Sequence, residues 1–388
     1  MNTVALPIPR RSPLPATLAA ALILAVGMGF GRFAFTGMYP LMVRHGELSL
    51  RAGSLAASAN YVGYLIGALL LSLDTPEQSA RLCRYALVGT VLCLAMLAWD
   101  GGMGFVLAVR LLAGALSAGT LIGASVWLFH VVNHPRGAPL LFAGVGIGIA
   151  LSAELIALGN WLGASPSALW LALAGAGAIL AALAWGELKS CPSATAVAPA
   201  ETAHEPDTND MLHPGPLVLI YGLAGFGYIV TATYLPLFVK NVLGQIDPAH
   251  VWAAFGLAAV PSCFVWHKLR VRFGTRWAMA LNLAVQTVGV VLPAIAQDAW
   301  AFLASAVLVG ATFVGTVTIA MSAAKQVARH VRFNMLATMT AAYGVGQIVG
   351  PLASDALFAC GLTFHAPLFA AAAALLLAAL TCLVGRSR

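Results

Sequence analysis

Apolar runs of about 20 residues, almost free of charge, follow one another along this chain with short polar breaks between them. As a helix rising 1.5 Å per residue, such a run crosses the roughly 30 Å of bilayer hydrocarbon. Lipid offers the backbone no hydrogen-bond partners, so a chain inside it must form helices or a closed barrel. These runs do not alternate polar and apolar residues, which excludes barrel strands. Composition agrees: 61% of the residues are hydrophobic and 9% charged, against roughly a quarter charged in soluble chains. Mean hydropathy is +0.90. The expected fold class is an all-α membrane protein with twelve transmembrane helices. They are expected at about 17–42, 52–73, 83–99, 103–129, 138–162, 166–186, 215–239, 249–267, 277–296, 299–322, 333–357 and 363–384. Only Asp100-Gly101-Gly102 marks the break between the third and fourth.

The formal charge of +7 invites a polyanionic partner, but its distribution argues against nucleic acid. With the N-terminus placed in the cytoplasm, fifteen of the twenty Lys and Arg fall inside: Arg10, Arg11, Arg81, Arg84, Arg136, Lys189, Lys268, Arg270, Arg272, Arg276, Lys325, Arg329, Arg332, Arg386 and Arg388. Arg44, Arg51 and Lys240 fall outside, and Arg32 and Arg110 within spans. Positive charge collects on the cytoplasmic side of membrane proteins, so both termini are expected there, in a plasma membrane of bacterial inner-membrane type. Arg10-Arg11 reads as a flank of the first span rather than an export signal. The segment 187–214, rich in Pro, Ser, Thr, Ala and acids, reads as a cytoplasmic linker. It divides the chain into an N-terminal six-helix bundle (1–186) and a C-terminal one (215–388). The acids Glu201, Glu205, Asp207 and Asp210 read as solvated tether or partner site. Six cysteines (83, 93, 191, 263, 360 and 382) show no metal or CxxC spacing and read as small apolar residues or thiols.

The halves repeat one another. Gly29-Phe30-Gly31-Arg32, running on to Pro40-Leu41-Met42-Val43, recurs as Gly225-Phe226-Gly227-Tyr228, running on to Pro236-Leu237-Phe238-Val239. The offset is 196, and six of fifteen positions are identical. Gly114-Ala115 and Gly119-Thr120 match Gly310-Ala311 and Gly315-Thr316 at the same offset. Gly144-Val145-Gly146 matches Gly344-Val345-Gly346 at offset 200, and an acid follows each: Glu154 and Asp355. Parallel repeats in a membrane chain mark two-bundle transporters. Gly27-x-x-x-Gly31 and the glycines at 144, 146 and 148 read as close helix contacts. Pro40 and Pro236 read as kinks near helix ends.

The chain resembles a major facilitator superfamily transporter over essentially its whole length. The string Gly29-Phe30-Gly31-Arg32-Phe33-Ala34-Phe35-Thr36, closing on Pro40, resembles the YbfB/YjiJ-type branch. The resemblance implies two six-helix bundles around a central cavity, alternating access and a first span that lines the cavity. After span eight, Arg272-Phe273-Gly274-Thr275-Arg276 resembles the superfamily's loop core, with Val271 where the family has an acid.

Arg32 lies roughly 15 Å deep, about ten residues from the outer end of span one. A charge there costs at least about 2.5–3.5 kcal/mol unless it faces water or a partner. It reads either as an anion-binding arginine, its planar fork matching a carboxylate or phosphate, or as half of a buried ion pair. Tyr228 occupies the matching position of the second half. With Tyr221, seven residues away on the same helix face, it reads as an aromatic, hydrogen-bonding cavity wall or as packing. Tyr234, near the outer end, reads as an interfacial hydroxyl. Gln347 is a candidate for binding cargo. Arg110 and Glu154 lie at similar depth on sequential spans and read as a structural pair, or with Glu154 as a protonation site. Asp355 reads as a coupling residue or an acid reaching the interface.

No Walker A, HExxH or GxSxG string occurs, so neither ATP drive nor hydrolysis has support, and no cofactor or metal is expected. The expected function is secondary active transport of a small anionic or zwitterionic solute, coupled to protons, by a monomer in the bilayer. Proton-driven export of amphipathic drug-like compounds is the alternative. A non-transporting membrane receptor or scaffold is the reading from another class.

Overall fold

A computed structural model describes residues 13–71, 76–188, 212–239 and 247–384, apart from the side chain of Arg329. Arg10, Arg11, Lys189, Cys191, the acids at 201–210, Lys240, Arg386 and Arg388 lie outside the described residues. The described residues form long helices and no strand. These are α1 (Leu14–Arg44), α2 (Leu50–Leu71), α3 (Pro76–Met96), α4 (Gly102–Val131), α5 (Pro135–Trp161), α6 (Pro166–Trp185), α7 (Pro214–Val239), α8 (Pro248–Phe273), α9 (Thr275–Ile295), α10 (Ala299–Val327), α11 (Met335–Ala359) and α12 (His365–Val384). All except α11 are long and apolar enough to cross a membrane. At 25 residues α11 falls between its neighbours of 29 and 20, but it carries Thr, Tyr, Gln, Ser and Asp. Large apolar side chains such as Leu70, Trp99, Trp161 and Trp300 stand exposed, as lipid contact requires.

Local sequence explains where several helices begin. Ser165, Asp247, Asp298 and Asn334 each accept a hydrogen bond from a backbone N–H in the first turn of α6, α8, α10 and α11. These bonds satisfy N–H groups that the helix itself leaves unpaired. Gly102, at φ +74°, turns the chain sharply between α3 and α4. Two helices run past the ends of their apolar runs: α8 to Phe273 rather than 267 and α10 to Val327 rather than 322. Arg270, Arg272 and Lys325 sit in those last turns, where positive charge suits the helix C-terminus.

Packing follows a regular scheme. Within the first six helices, α1 packs on α5, α2 on α4, and α3 on α4 and α6. Within the last six, α7 packs on α11, α8 on α10, and α9 on α10 and α12. Between the two sets, α5 packs on α8, α2 on α11 and α1 on α7.

Glycine permits two of these crossings. Gly29 lies against the backbone of Gly148, and Gly346 against Gly222 and Gly225, so any side chain there would strike main chain.

Gly346→Val is expected to lower thermal stability by at least the 1–3 kcal/mol typical of overpacking, because its Cβ meets backbone on α7. Gly175→Ala, where nothing lies within 4 Å, should leave the unfolding temperature of the detergent-purified protein unchanged.

Candidate functional site

The first half of the repeated string does not form a regular α-helix. Ala25–Phe33 winds as a π-helix inside α1, whereas the second copy lies in the continuous α-helix of α7. A π-turn displaces carbonyls from the usual bonding pattern, and such turns collect at functional positions. Side chains of neighbouring helices meet four of these carbonyls. Ser117 donates to the Gly27 oxygen at 2.6 Å, and Trp252 Nε1 to the Phe33 oxygen at 3.1 Å. Arg110 donates to the oxygens of Gly31 and Arg32 at 3.3 and 3.4 Å, and to that of Ala56 on α2 at 3.4 Å.

The expected pairing of Arg110 with Glu154 is thereby corrected. Arg110 is fully buried and its guanidinium is occupied by three backbone oxygens. Glu154 sits half-exposed and meets His250 Nδ1 across the α5–α8 contact at 3.0 Å. Equal depth along sequential helices left the facing direction open; packing turned the two side chains apart. Asp355 meets Arg51 at 3.8 Å across the α2–α11 contact, with its side chain 23% exposed.

Arg32 is 3% exposed and has no carboxylate partner among the described residues. Its guanidinium lies over the rings of Tyr64, Tyr61 and Phe33 at 4.2, 5.0 and 5.2 Å. Aromatic faces attract a cation, the more so when it is desolvated. One terminal nitrogen donates to Gln347 Oε1 at 2.7 Å, and Gln347 Nε2 donates to the Tyr228 hydroxyl at 2.5 Å. The repeated positions 32 and 228 are thus joined through α11. Arg32 Nε is buried with no protein partner.

These groups line a cavity of about 460 Å³, within the range of ligand pockets. Its polar lining includes Arg32, Tyr64, Tyr221, Tyr228, Tyr343, Gln347 and Lys325. It runs from Arg32 in mid-helix to Lys325, exposed in the last turn of α10. Tyr228 stacks between Phe313 and Tyr343, with centroids at 5.5 and 5.6 Å and planes within 13°; Tyr221 stacks on Tyr343 at 4.3 Å.

Toward the other end the helices are closed by bonds between the two sets. The Tyr234 hydroxyl meets Ser54 at 2.8 Å and donates to the Pro351 oxygen at 3.2 Å. Thr36 donates to the Ala232 oxygen at 2.9 Å, and the Tyr61 and Thr233 hydroxyls lie 3.3 Å apart. Tyr234, expected at the interface, is fully buried. The membrane-depth argument placed its hydroxyl near headgroups, but cross-helix packing covers it.

Arg272, Gly274 and Arg276 lie away from the cavity, at the α8–α9 junction. Gly274, at φ +84°, makes a one-residue turn, and Arg276 donates to the oxygens of Cys382 and Leu383 at the end of α12. That bonding caps a helix C-terminus. Sequence reasoning missed Tyr64, Phe313, Tyr343 and the His250 partner of Glu154. Tyr343 had a signal: it lies four residues before Gln347, on the same helix face. Phe313 had none.

A family model described as "Uncharacterised MFS-type transporter YbfB" matches residues 24–383, and the chain belongs to that family. Among solved structures it is similar to the nucleoside transporter NupG, with 13% identity over 95% of this chain and 98% of that one, at a TM-score of 0.68. A point mutant of NupG matches with 13% identity over 95% of this chain and 99% of that one, at a TM-score of 0.70. At this identity the likeness is one of fold. The protein is a multi-pass membrane transporter of the MFS type.

Arg110→Met is expected to leave the Gly31 and Arg32 carbonyls at the end of the π-turn without their donor, each worth about 1–3 kcal/mol when buried and unpaired. The unfolding temperature should fall, and Glu154→Gln should not reproduce the effect, because Glu154 meets His250 rather than Arg110.

Proposed function

We propose that this member of the family is a secondary active transporter that moves a small anionic or zwitterionic organic solute by alternating access. Arg32 carries the reading. It is a buried cation on the cavity wall, without a carboxylate among the described residues and with one nitrogen unpaired. A charge at membrane depth costs about 2.5–3.5 kcal/mol or more unless a partner reaches it. An anionic solute supplies that partner.

Two six-helix bundles, 1–186 and 215–388, joined by the linker 187–214, are the architecture that suits this mechanism. In its support, the packing partners correspond: α1–α5 with α7–α11, α2–α4 with α8–α10, and α5–α8 with α11–α2. The contacts across the interface correspond too. Arg51 and His250 stand near the starts of α2 and α8, and each meets an acid, Asp355 or Glu154. With positive charge inside, both termini and the cavity mouth at Lys325 face the cytoplasm, and the Tyr234–Ser54 contact closes the outer side.

Binding couples to motion through Gln347. A carboxylate arriving at Arg32 competes with Gln347 Oε1 for the guanidinium and so releases the bond between the bundles that runs on to Tyr228. The proton acts at the outer gate rather than in the cavity, because Glu154 faces His250 there. Arg44, Asn160 and Asp247 form a hydrogen-bonded chain at the same helix ends.

Export of cationic drugs needs an acid in the cavity, and no carboxylate lines it among the described residues. A nucleoside, as carried by NupG, is uncharged and leaves Arg32 uncompensated.

A thermal-shift panel of organic acids, amino acids, nucleosides and cationic drugs tests the reading on wild type and Arg32→Ala. An acid at 100 times its dissociation constant should add about 2.7 kcal/mol of apparent stability to the wild type. Arg32→Ala should weaken that acid about ten- to hundredfold, the equivalent of a charge-assisted bond. Cations or nucleosides stabilising both proteins equally would overturn the anion reading. Binding without uptake into proteoliposomes would favour a receptor. For the gate, Glu154→Gln with Asp355→Asn should raise labelling of Ser54→Cys by an impermeant maleimide added outside severalfold, measured in a Cys360→Ser background. Unchanged labelling would remove these pairs from the gate.

A further inference from the structure

We propose that the cavity selects a flat aromatic monoanion, an arylcarboxylate. Its carboxylate would sit at Arg32 and its ring against the wall of Tyr228, Phe313 and Tyr343. This inference rests on the anion reading of the same site and narrows it.

Charge sets the first limit. The charged groups lining the cavity are Arg32 and Lys325, and no Asp or Glu lines it among the described residues. An ammonium on the ligand would therefore find no counter-charge, which disfavours amino acids and cations. Lys325 lies at the exposed mouth, so one buried cation remains at depth. Arg110 keeps its charge but offers the ligand no edge: its guanidinium is turned to the carbonyls of Gly31, Arg32 and Ala56 and does not line the cavity. One carboxylate takes up the Arg32 edge, whereas a second carboxylate on the ligand would find no further buried cation in contact. A planar carboxylate also matches the guanidinium fork, with Nε buried and unpaired beside the nitrogen that Gln347 holds.

Shape sets the second limit. Phe313, Tyr228 and Tyr343 lie nearly parallel, at 11° and 13°, in one aromatic stack that lines the cavity close to the charge site. Opposite chemistry closes over the guanidinium, where the Tyr64 ring stands 4.2 Å from its carbon. Aromatic rings pack on such surfaces with an attraction beyond that of their area alone. A saturated ring of equal size gains the area without it.

Benzoate and cyclohexanecarboxylate are both singly charged at neutral pH and similar in size, and differ in flatness. Titration of the full-length purified protein should show benzoate binding roughly tenfold tighter, the ratio given by about 1.4 kcal/mol. Phe313→Leu, with Tyr343→Leu as a second variant, should reduce that ratio to within about threefold, because benzoate loses more affinity than cyclohexanecarboxylate. Arg32→Gln should remove both ligands. Equal binding of the two acids to wild type would overturn the aromatic selectivity while leaving the anion reading intact. Tighter binding of phenylalanine, benzylammonium or phthalate than of benzoate would overturn the monoanion assignment. Failure of every acid to bind would overturn the anion reading and this inference with it.

Discussion

A guanidinium held at membrane depth, with no carboxylate partner among the described residues, is the constraint around which this protein is arranged. Arg32 is surrounded by three aromatic rings and one glutamine amide, partners that attract a cation without cancelling its charge. An ion pair there would be electrically satisfied and closed to cargo. Ring faces and an amide oxygen are weaker partners, and a carboxylate can displace them. The cost of the buried charge is met by the rest of the fold, which holds the arginine in place from four neighbouring helices.

That support is a second arginine. Arg110 reaches from α4 to the carbonyls that the π-turn of α1 exposes, and Ser117 and Trp252 take up two more. The second half needs no such device. Its copy of the string is a regular α-helix, its copy of Arg32 is Tyr228, and the position matching Arg110 is Ala306, fully buried among apolar neighbours. The irregular helix, the charge and the clamp therefore occur together in one half and are absent together from the other. The glycine crossings, by contrast, are shared: α1 with α5 and α7 with α11 both need backbone to approach backbone.

Glu154, expected beside Arg110, and Asp355, expected as a coupling or interface acid, both lie at the contact between the two sets of helices. Glu154 and Asp355 each bridge the two sets of helices at the closed end. Half-exposed pairs of this kind contribute little stability, with a median of about 0–1 kcal/mol. The hydroxyls of Tyr234 and Thr36 are buried there and hydrogen-bond across the helices.

Hydropathy alone determined the all-helical membrane class, and the helices lie close to the expected spans, because lipid leaves a chain no other way to satisfy its backbone. The repeated string marked Arg32 and Tyr228 as positions of interest, and helical spacing put Tyr221 beside Tyr228. Only the tertiary structure decided which side chains face each other. It turned Glu154 from Arg110 to His250, brought Gln347 between Arg32 and Tyr228, and added Phe313, which nothing local distinguishes from lipid-facing phenylalanines. The physical reason is rotational. Apolar residues surround a membrane helix on every side, so the faces of α5 and α7 carry almost no hydrophobic signal of direction, and only packing against neighbours settles it.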